Sequence, residues 1–236
     1  MTRWWRTLAR SIAAIGWRAT ACYALDRALR RLRLGTVHRY AFLVQPLAAL
    51  AMPRDYAVHA LTSPAQCQAL LKLEREVAAY RLAQGGRCIA AFHKEEAVAA
   101  LWFVAGGYEE DEVRARYEPW PAGAAAWDFG VWVAPRHRMS RAFAAVWAGA
   151  SAAMQAMGAR WSLSRISVFN EASVRAHRRL GARVIGHATF VRLGEVQLAL
   201  ASVPPYAHLS RHRRQRPVYR LSAVASTVDK GGEAAP

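Results

Sequence analysis

The stretch "RWSLSRISVFNEASVRAHRRLGARVIGH" runs from Arg160 to His187 and decides the fold. Its first ten residues alternate apolar and polar, the period of a strand with one buried face. Asn170 then offers a side-chain oxygen of the kind that caps a helix start, and Gly181 supplies the stop. Between them Ser173, Ala176, His177 and Leu180 stand at i, i+3, i+4 and i+7 and share one helix face. Arg175, Arg178 and Arg179 take the other. A strand, "ARVIGHATFVRLG" (182–194), follows. His177 is the odd residue, a titratable ring in register with the apolar positions.

Reading outward, "AAWDFGVWVAP" (125–135) is a buried strand stopped by Pro135, and "SRAFAAVWAGASAAMQAMGA" (140–159) is a helix ending at Gly158. Residues 125–193 therefore run strand, helix, strand, helix, strand, which requires parallel pairing or crossovers. Upstream, "VHRYAFLVQPLA" (37–48) reads as a strand. Residues 63–86 read as one helix, with Ser63 as cap, Pro64 in its first turn and Gly85-Gly86 at its end. "RCIAAFH" and "AVAALWFVA" flank a polar "KEE" as a hairpin. The acidic "YEEDEVRARYEPWPAG" (108–123) reads as a loop or short helix. "EVQLALASV" (195–203) completes the sheet. The class is α/β, with a mixed, mostly antiparallel sheet of about 6–7 strands flanked by helices.

The chain has 236 residues, 54% hydrophobic and 21% charged, enough for a large domain with a real core. Cys22, Cys67 and Cys88 form no CxxC, and the eight histidines form no HExxH. That pattern argues against a disulfide scaffold and against a metal site, and suits a reducing cytoplasm. No apolar run reaches the ~18–20 residues of a membrane span. In "MTRWWRTLARSIAAIGWR" the apolar part, Ser11–Trp17, is cut by Arg18, too short for a signal peptide's core, so the segment reads as retained.

The net charge of +17 is unevenly spread. Residues 1–40 carry nine basic side chains and one acidic, residues 41–134 eight and eleven, and residues 135–200 ten and two. Basic flanks draw anionic lipid, phosphorylated cofactors, acidic proteins or nucleic acid. Only Lys72, Lys94 and Lys230 are lysines, so a GC-rich coding bias accounts for the surface arginines equally well. No nucleic-acid motif accompanies them, which weighs against nucleic acid as a partner. Residues 1–35 form a basic amphipathic helical segment. Within 2–33, Trp4, Trp5, Leu8, Ile12 and Ile15 recur at helical spacing among arginines, and Leu25, Leu29 and Leu32 repeat the pattern. Tryptophan with arginine is the composition of a helix lying peripherally on an anionic membrane face; docking on the chain's own domain or on a second subunit is the other reading. Residues 36–225 are the α/β domain, and 226–236 a disordered tail.

Two junctions could carry chemistry. In "VAPRHRMSRAFAAVW" a strand ends at Val133–Ala134 and a helix begins near Ser140. Open helix-start amides ringed by Arg136, His137, Arg138 and Arg141 make either a phosphate cradle or a solvated basic turn. The other junction is Asn170–Gly181, where His177 either packs as a satisfied core histidine or faces a ligand. Asp128 is the only acid on its strand, either structural or a proton acceptor. If Phe129, Val131 and Val133 share one strand face, Asp128 lies on the opposite one with Gly130 and Trp132. The acids Glu109–Glu112 and Glu118 are either a solvated loop or an attraction for a cationic amine.

These junctions, in this order, resemble the GCN5-related N-acetyltransferase (GNAT) superfamily over roughly residues 37–200. Its phosphate loop has the pattern Q/R-x-x-G-x-G/A, and its second signature is N-x-x-A/S-x-x-x-Y-x-x-x-G-F. "NEASVRAHRRLGA" matches the second in spacing at Asn170, Ser173, His177, Gly181 and Ala182. The resemblance implies an acyl-coenzyme A N-acyltransferase fold and direct transfer of an acetyl or other acyl group from acetyl-CoA or another acyl-CoA to an amine. It implies that the thioester oxygen meets a backbone amide near Val131 and Val133. Arg136, Arg138, Met139, Ser140, Arg141, Ala142, Asn170 and Ser173 would then surround the donor, with His177 facing its thiol and Asp128 taking the amine's proton. Two departures stand out. "RHRMSRAF" has no glycine, where glycine lets backbone approach phosphate closely. His177 stands where the family commonly has tyrosine. Two alternatives accompany this reading: a non-catalytic, basic GNAT-like module at a membrane surface or on nucleic acid, and an acyltransferase whose donor is an acidic acyl carrier protein.

Overall fold

In the computed structural model, residues 16–224 are described. Of the helix expected over 2–33, the described part is α1 (Trp17–Arg31); residues 2–15 and the expected tail from 226 lie outside the described residues. There follow β1 (Gly35–Pro46), β2 (Tyr56–Leu61), α2 (Pro64–Leu71) and α3 (Arg75–Ala83). Next come β3 (Arg87–His93), β4 (Glu96–Val104), β5 (Tyr108–Glu109), β6 (Arg116–Trp120) and β7 (Ala125–Val133). The second half holds α4 (Ala142–Gln155), β8 (Trp161–Ser167), α5 (Glu171–Arg179) and β9 (Arg183–Leu193). It ends with β10 (Val196–Ala201), β11 (Ala207–Ser210) and β12 (Val218–Ser222).

The fold is α/β, and its sheet is larger than the 6–7 strands expected. Nine strands form one sheet in the order β11-β10-β9-β1-β8-β7-β4-β3-β2, and β12-β6-β5 form a second. Within the large sheet every pair is antiparallel except β7 with β8. The helix between β7 and β8 makes that parallel pairing possible. The first strand of the chain, β1, lies between β8 and β9, a place its sequence position does not suggest.

Two sequence expectations are corrected. The single helix over 63–86 is two. Ser63 and Gln66 do form a reciprocal capping box, but Lys72 takes a left-handed conformation (φ 58°) and ends α2, so that Leu73 also packs on the core. The stretch 108–123 is not a loop or helix but supplies two strands of the second sheet, β5 at its edge and β6 at its centre. Val113, Ala115, Tyr117 and Pro119 alternate inward, and Tyr117 stacks on Trp127 with ring centroids 4.4 Å apart.

The core has two faces. One lies under α2, α3 and the second sheet, and includes Phe42, Trp102, Trp127 and Phe129. The other lies under α4, with Phe103, Val146 and Trp147, and continues beneath α5 with Leu43 and Ile166. α1 is tied to β1, where Asp26 accepts from the Val37 amide at 2.8 Å. Among the described residues no helix is long and apolar enough to cross a membrane.

Candidate active site

The site begins where the parallel pair comes apart. β7 and β8 are in register only from Ala125–Trp161 to Asp128–Ser164. Beyond that, β7 continues to Val133 beside β4 while β8 continues to Ser167 beside β1. A β-bulge drives the parting. Phe129 pairs with Trp102 and Trp132 with Ala100, so Gly130 and Val131 together oppose Leu101. A bulge bends its strand and increases its twist. Gly130 sits at φ +58°, and a Cβ there would come within 2.7 Å of Arg81 Nη1 and 3.2 Å of Trp102 Cδ1. Both the conformation and the space favour glycine.

The bulge also resets the alternation. Val131 and Val133 pack with the α4 face, whereas Phe129 and Trp132 pack with the opposite one. Asp128, two residues from Ala126 of the α4 face, therefore shares its face with Val131 and Val133 rather than with Trp132. Past Asp128 the β8-facing side of β7 has no strand partner, so its backbone groups open into a cavity of about 660 Å³. That cavity runs through the splay from one sheet face to the other.

On the α4/α5 side the cavity is lined by Asp128, Val131, Ser164, Asn170, Ser173 and His177. Asn170 caps α5 as its sequence position predicts, accepting from the Ser173 amide at 3.2 Å. His177 is buried, and its Nδ1 lies 2.8 Å from the Ser173 carbonyl oxygen. A carbonyl only accepts, so Nδ1 carries the hydrogen and Nε2 keeps its lone pair. Nε2 is buried without a partner. The edge-on rings of Phe143 and Trp147 stand 5.6 and 5.4 Å away. Burial lowers the His177 pKa more than the Ser173 carbonyl raises it, so the ring is neutral at pH 7.

Asp128 is equally buried. Ser162 Oγ donates to it at 2.5 Å, and Ser164 bonds it as well. Burial pushes its pKa up to about 7, against the two hydroxyls, which favour the charged form.

The opposite side is built from residues whose partnership was not legible in the sequence. Arg165 of β8 pairs with Glu110 and Glu112, both at 2.8 Å, and lies 4.2 Å over the Tyr40 ring. Burial opposes charge on Glu110, but Arg165 and the Asp111 amide hold its pKa down at about 2. Tyr40 donates to Glu112 at 2.8 Å. With its hydroxyl hydrogen so committed, Tyr40 accepts from Nδ1 of His38, 3.0 Å away, which leaves His38 Nε2 as a lone pair. Burial lowers the His38 pKa, partly offset by Glu112. Arg81 of α3 donates to Asp111 at 2.7 Å and lies over Trp102 and Phe129. Burial and the neighbouring Glu110 nonetheless raise the Asp111 pKa. The acidic triplet Glu110–Glu112 thus enters the site from the β5–β6 connection, which Tyr108 anchors by stacking on Phe129 at 4.0 Å. Glu109 and Glu118 pair instead with Arg116.

The expected phosphate loop lies apart from this cavity. Neither Val133 nor any of Arg136, Arg138, Met139, Ser140, Arg141 and Ala142 lines it. A 3₁₀ turn (Pro135–His137) precedes α4. The amides of His137, Arg138 and Ser140 bond to carbonyls within the loop, and the Ala142 amide bonds to Ser140 Oγ. Phe143 and Ala144 are left as the open donors of the helix start. Arg136, which pairs with Glu96, and Arg138, Met139, Ser140 and Arg141 are all exposed. Pro135, Arg136 and His137 instead border a second, open cavity of about 1060 Å³ with Lys72, His93 and Lys94. Among the described residues no group of three or more His, Cys, Asp or Glu could hold a metal ion.

No family model and no curated protein matches the sequence. Solved structures similar to it include an acetyltransferase assigned to the GNAT family from Novosphingobium aromaticivorans. It is 17% identical over 65% of this chain and 62% of that chain, with a TM-score of 0.47. A GCN5-related N-acetyltransferase from Kribbella flavida is 17% identical over 71% and 63%, with a TM-score of 0.48. A protein of unknown function from Staphylococcus epidermidis is 10% identical over 71% and 66%, with a TM-score of 0.49. The chain spans less than two thirds of the length of each. At these identities and TM-scores, the reading of the site rests on the chain's own topology and residues, not on the likeness.

Proposed function

We propose that the chain is an acyltransferase that moves an acetyl or other acyl group from acyl-coenzyme A to an amine by direct transfer. The observation that carries this reading is the parted parallel pair with a cavity through it, lined by Ser164, Asn170, Ser173 and His177 on one side and by carboxylates on the other. The donor's arm lies along the unpaired edge of β7, where the backbone amide near Val131 receives the thioester oxygen; Val133, outside the cavity, takes no part in this. The Phe143 and Ala144 amides, with Arg138 and Arg141, face its phosphates. The amine enters past Glu110–Glu112, loses a proton and attacks the thioester carbonyl; a C–N bond forms and the C–S bond breaks. Asp128, with a pKa of about 7, takes the amine's proton directly or through one water, and a proton returns to the thiolate. His177 cannot give a proton from Nε2. It accepts from the thiol and holds it, a different task from that of the tyrosine the resemblance puts there.

One observation favours a second reading. The loop spends four of its amides on itself, which suits a non-catalytic relative or a donor carried by an acidic acyl carrier protein that docks on the exposed arginines. Thiol release measured with acetyl-coenzyme A, a longer acyl-coenzyme A and an acyl carrier protein, over a panel of amines, separates these readings. Release only with the carrier protein moves the donor. No release with any donor and no donor binding leaves the non-catalytic reading.

A further inference from the structure

α1 has two faces, and both carry apolar residues. The inward face holds Ala19 and Thr20, buried, with Cys22, Asp26 and Leu29 partly covered. The outward face holds Ala21, Leu25, Ala28 and Leu32 at i, i+4, i+7 and i+11, all exposed. Leu32 and Leu34 are 63% and 56% exposed. The same surface continues over the ends of neighbouring strands, because Gly35 is in register with Leu193 and Leu193 with Val196. Leu193 and Val196 are exposed, and from Val196 a row of exposed leucines, Leu198 and Leu200, follows β10. Scattered exposed leucines need no explanation, but a continuous run over a helix, a hairpin tip and a strand does.

The charge on this surface has one sign. Arg27, Arg31, Arg33 and Arg192 are exposed beside the apolar run, and among the described residues none has a carboxylate within ion-pair distance. Asp26 turns inward to Arg30 and the Val37 amide. On the β9–β10 hairpin the one carboxylate, Glu195, is met by Arg114 and Arg213. Two copies docked through this face would set arginine against arginine, whereas an anionic bilayer complements both the arginines and the leucines.

We infer that this surface seats the protein on an anionic bilayer, with α1 lying in the headgroup region and the β9–β10 hairpin beside it. The inference is independent of acyl transfer, although Asp26 and Arg30 on the inward side of α1 line the cavity's carboxylate end, so seating would bring that end to the membrane.

The test is co-sedimentation of the full chain with phosphatidylcholine vesicles, with and without phosphatidylglycerol. Binding is expected only with phosphatidylglycerol, weakening as salt rises. Leu25→Ser/Leu32→Ser should lower the partition coefficient about tenfold or more, since both leucines lose their apolar contact with the bilayer. Leu193→Ser/Val196→Ser, on a separate element, should act in the same direction, and keeps the test decisive should the helix variant unfold. Equal binding to both vesicle types, or binding that neither pair of substitutions weakens, overturns the inference. So does a mass doubling in solution that the leucine variants abolish, since the occupant would then be a second copy.

Discussion

Asp128 and Ser164 are the last residues of β7 and β8 to face each other in register, and the sheet opens immediately beyond them. A buried carboxyl therefore stands at the apex of the cleft, with a pKa of about 7 against an ordinary value of 3.8. A group whose folded pKa is raised adds stability below its unfolded pKa and loses it as pH rises through the folded value. Wild-type stability should thus lose Asp128's contribution between about pH 4 and pH 7. Asp128→Asn should flatten that slope in urea midpoints measured from pH 4.5 to 8.5, and should be the more stable protein at pH 8.5. Turnover should fall by about 10²-fold or more if Asp128 accepts the proton. His38→Gln should keep most of it; the opposite pattern moves the role to His38.

His177 bends the profile the other way. Its pKa is lowered by burial, so the unfolded chain binds a proton in a range where the native ring does not. Stability should fall as pH drops below the unfolded value of about 6.5. His177→Phe should remove this loss, and imidazole NMR of the wild type should show a neutral ring protonated on Nδ1 at pH 7. A ring protonated on both nitrogens at pH 7 would contradict the hydrogen-bond assignment.

Arg165 compensates a buried carboxylate that has few other partners. Arg165→Met leaves Glu110 buried without its counter-charge and should cost about 3–5 kcal/mol in chemical denaturation. Arg165→Met/Glu110→Gln should recover a large part of that loss. A double variant as unstable as the single would mean that Arg165 acts through packing on Tyr40 instead.

Gly130 sets the bulge. Gly130→Ala should destabilise by about 1–2 kcal/mol, from the strained φ and the displaced Arg81 tip, lowering the thermal midpoint by roughly 2–8 °C. It should also weaken donor binding by narrowing the parting. An unchanged midpoint would show that Gly130 is not needed for the bulge.

Much of this architecture was legible where local signals were strong. The 3.6-residue period and the caps at Asn170 and Gly181 placed α5, and the face calculation put His177 inside. The "VRARYEPW" run has a clean period of two, but its charged residues disguised the central strand of the second sheet as a loop. β2 and β11 are short strands with half of their residues exposed and carry little periodic signal. The place of β1 beside β8, and with it the convergence of His38, Tyr40, Arg165 and the acidic triplet, depends on pairings between residues distant in sequence. No local pattern encodes those. The glycine-free loop was visible, but its self-satisfied amides follow from a 3₁₀ turn whose boundaries propensity does not fix.

The most direct test of the central claim is calorimetric titration of acetyl-coenzyme A into the wild-type chain and into Val131→Trp, which fills the parting of β7 and β8. The account predicts saturable binding in the wild type and its loss in a Val131→Trp protein that remains folded by circular dichroism. No heat up to millimolar donor, or equal binding by both proteins, would contradict it.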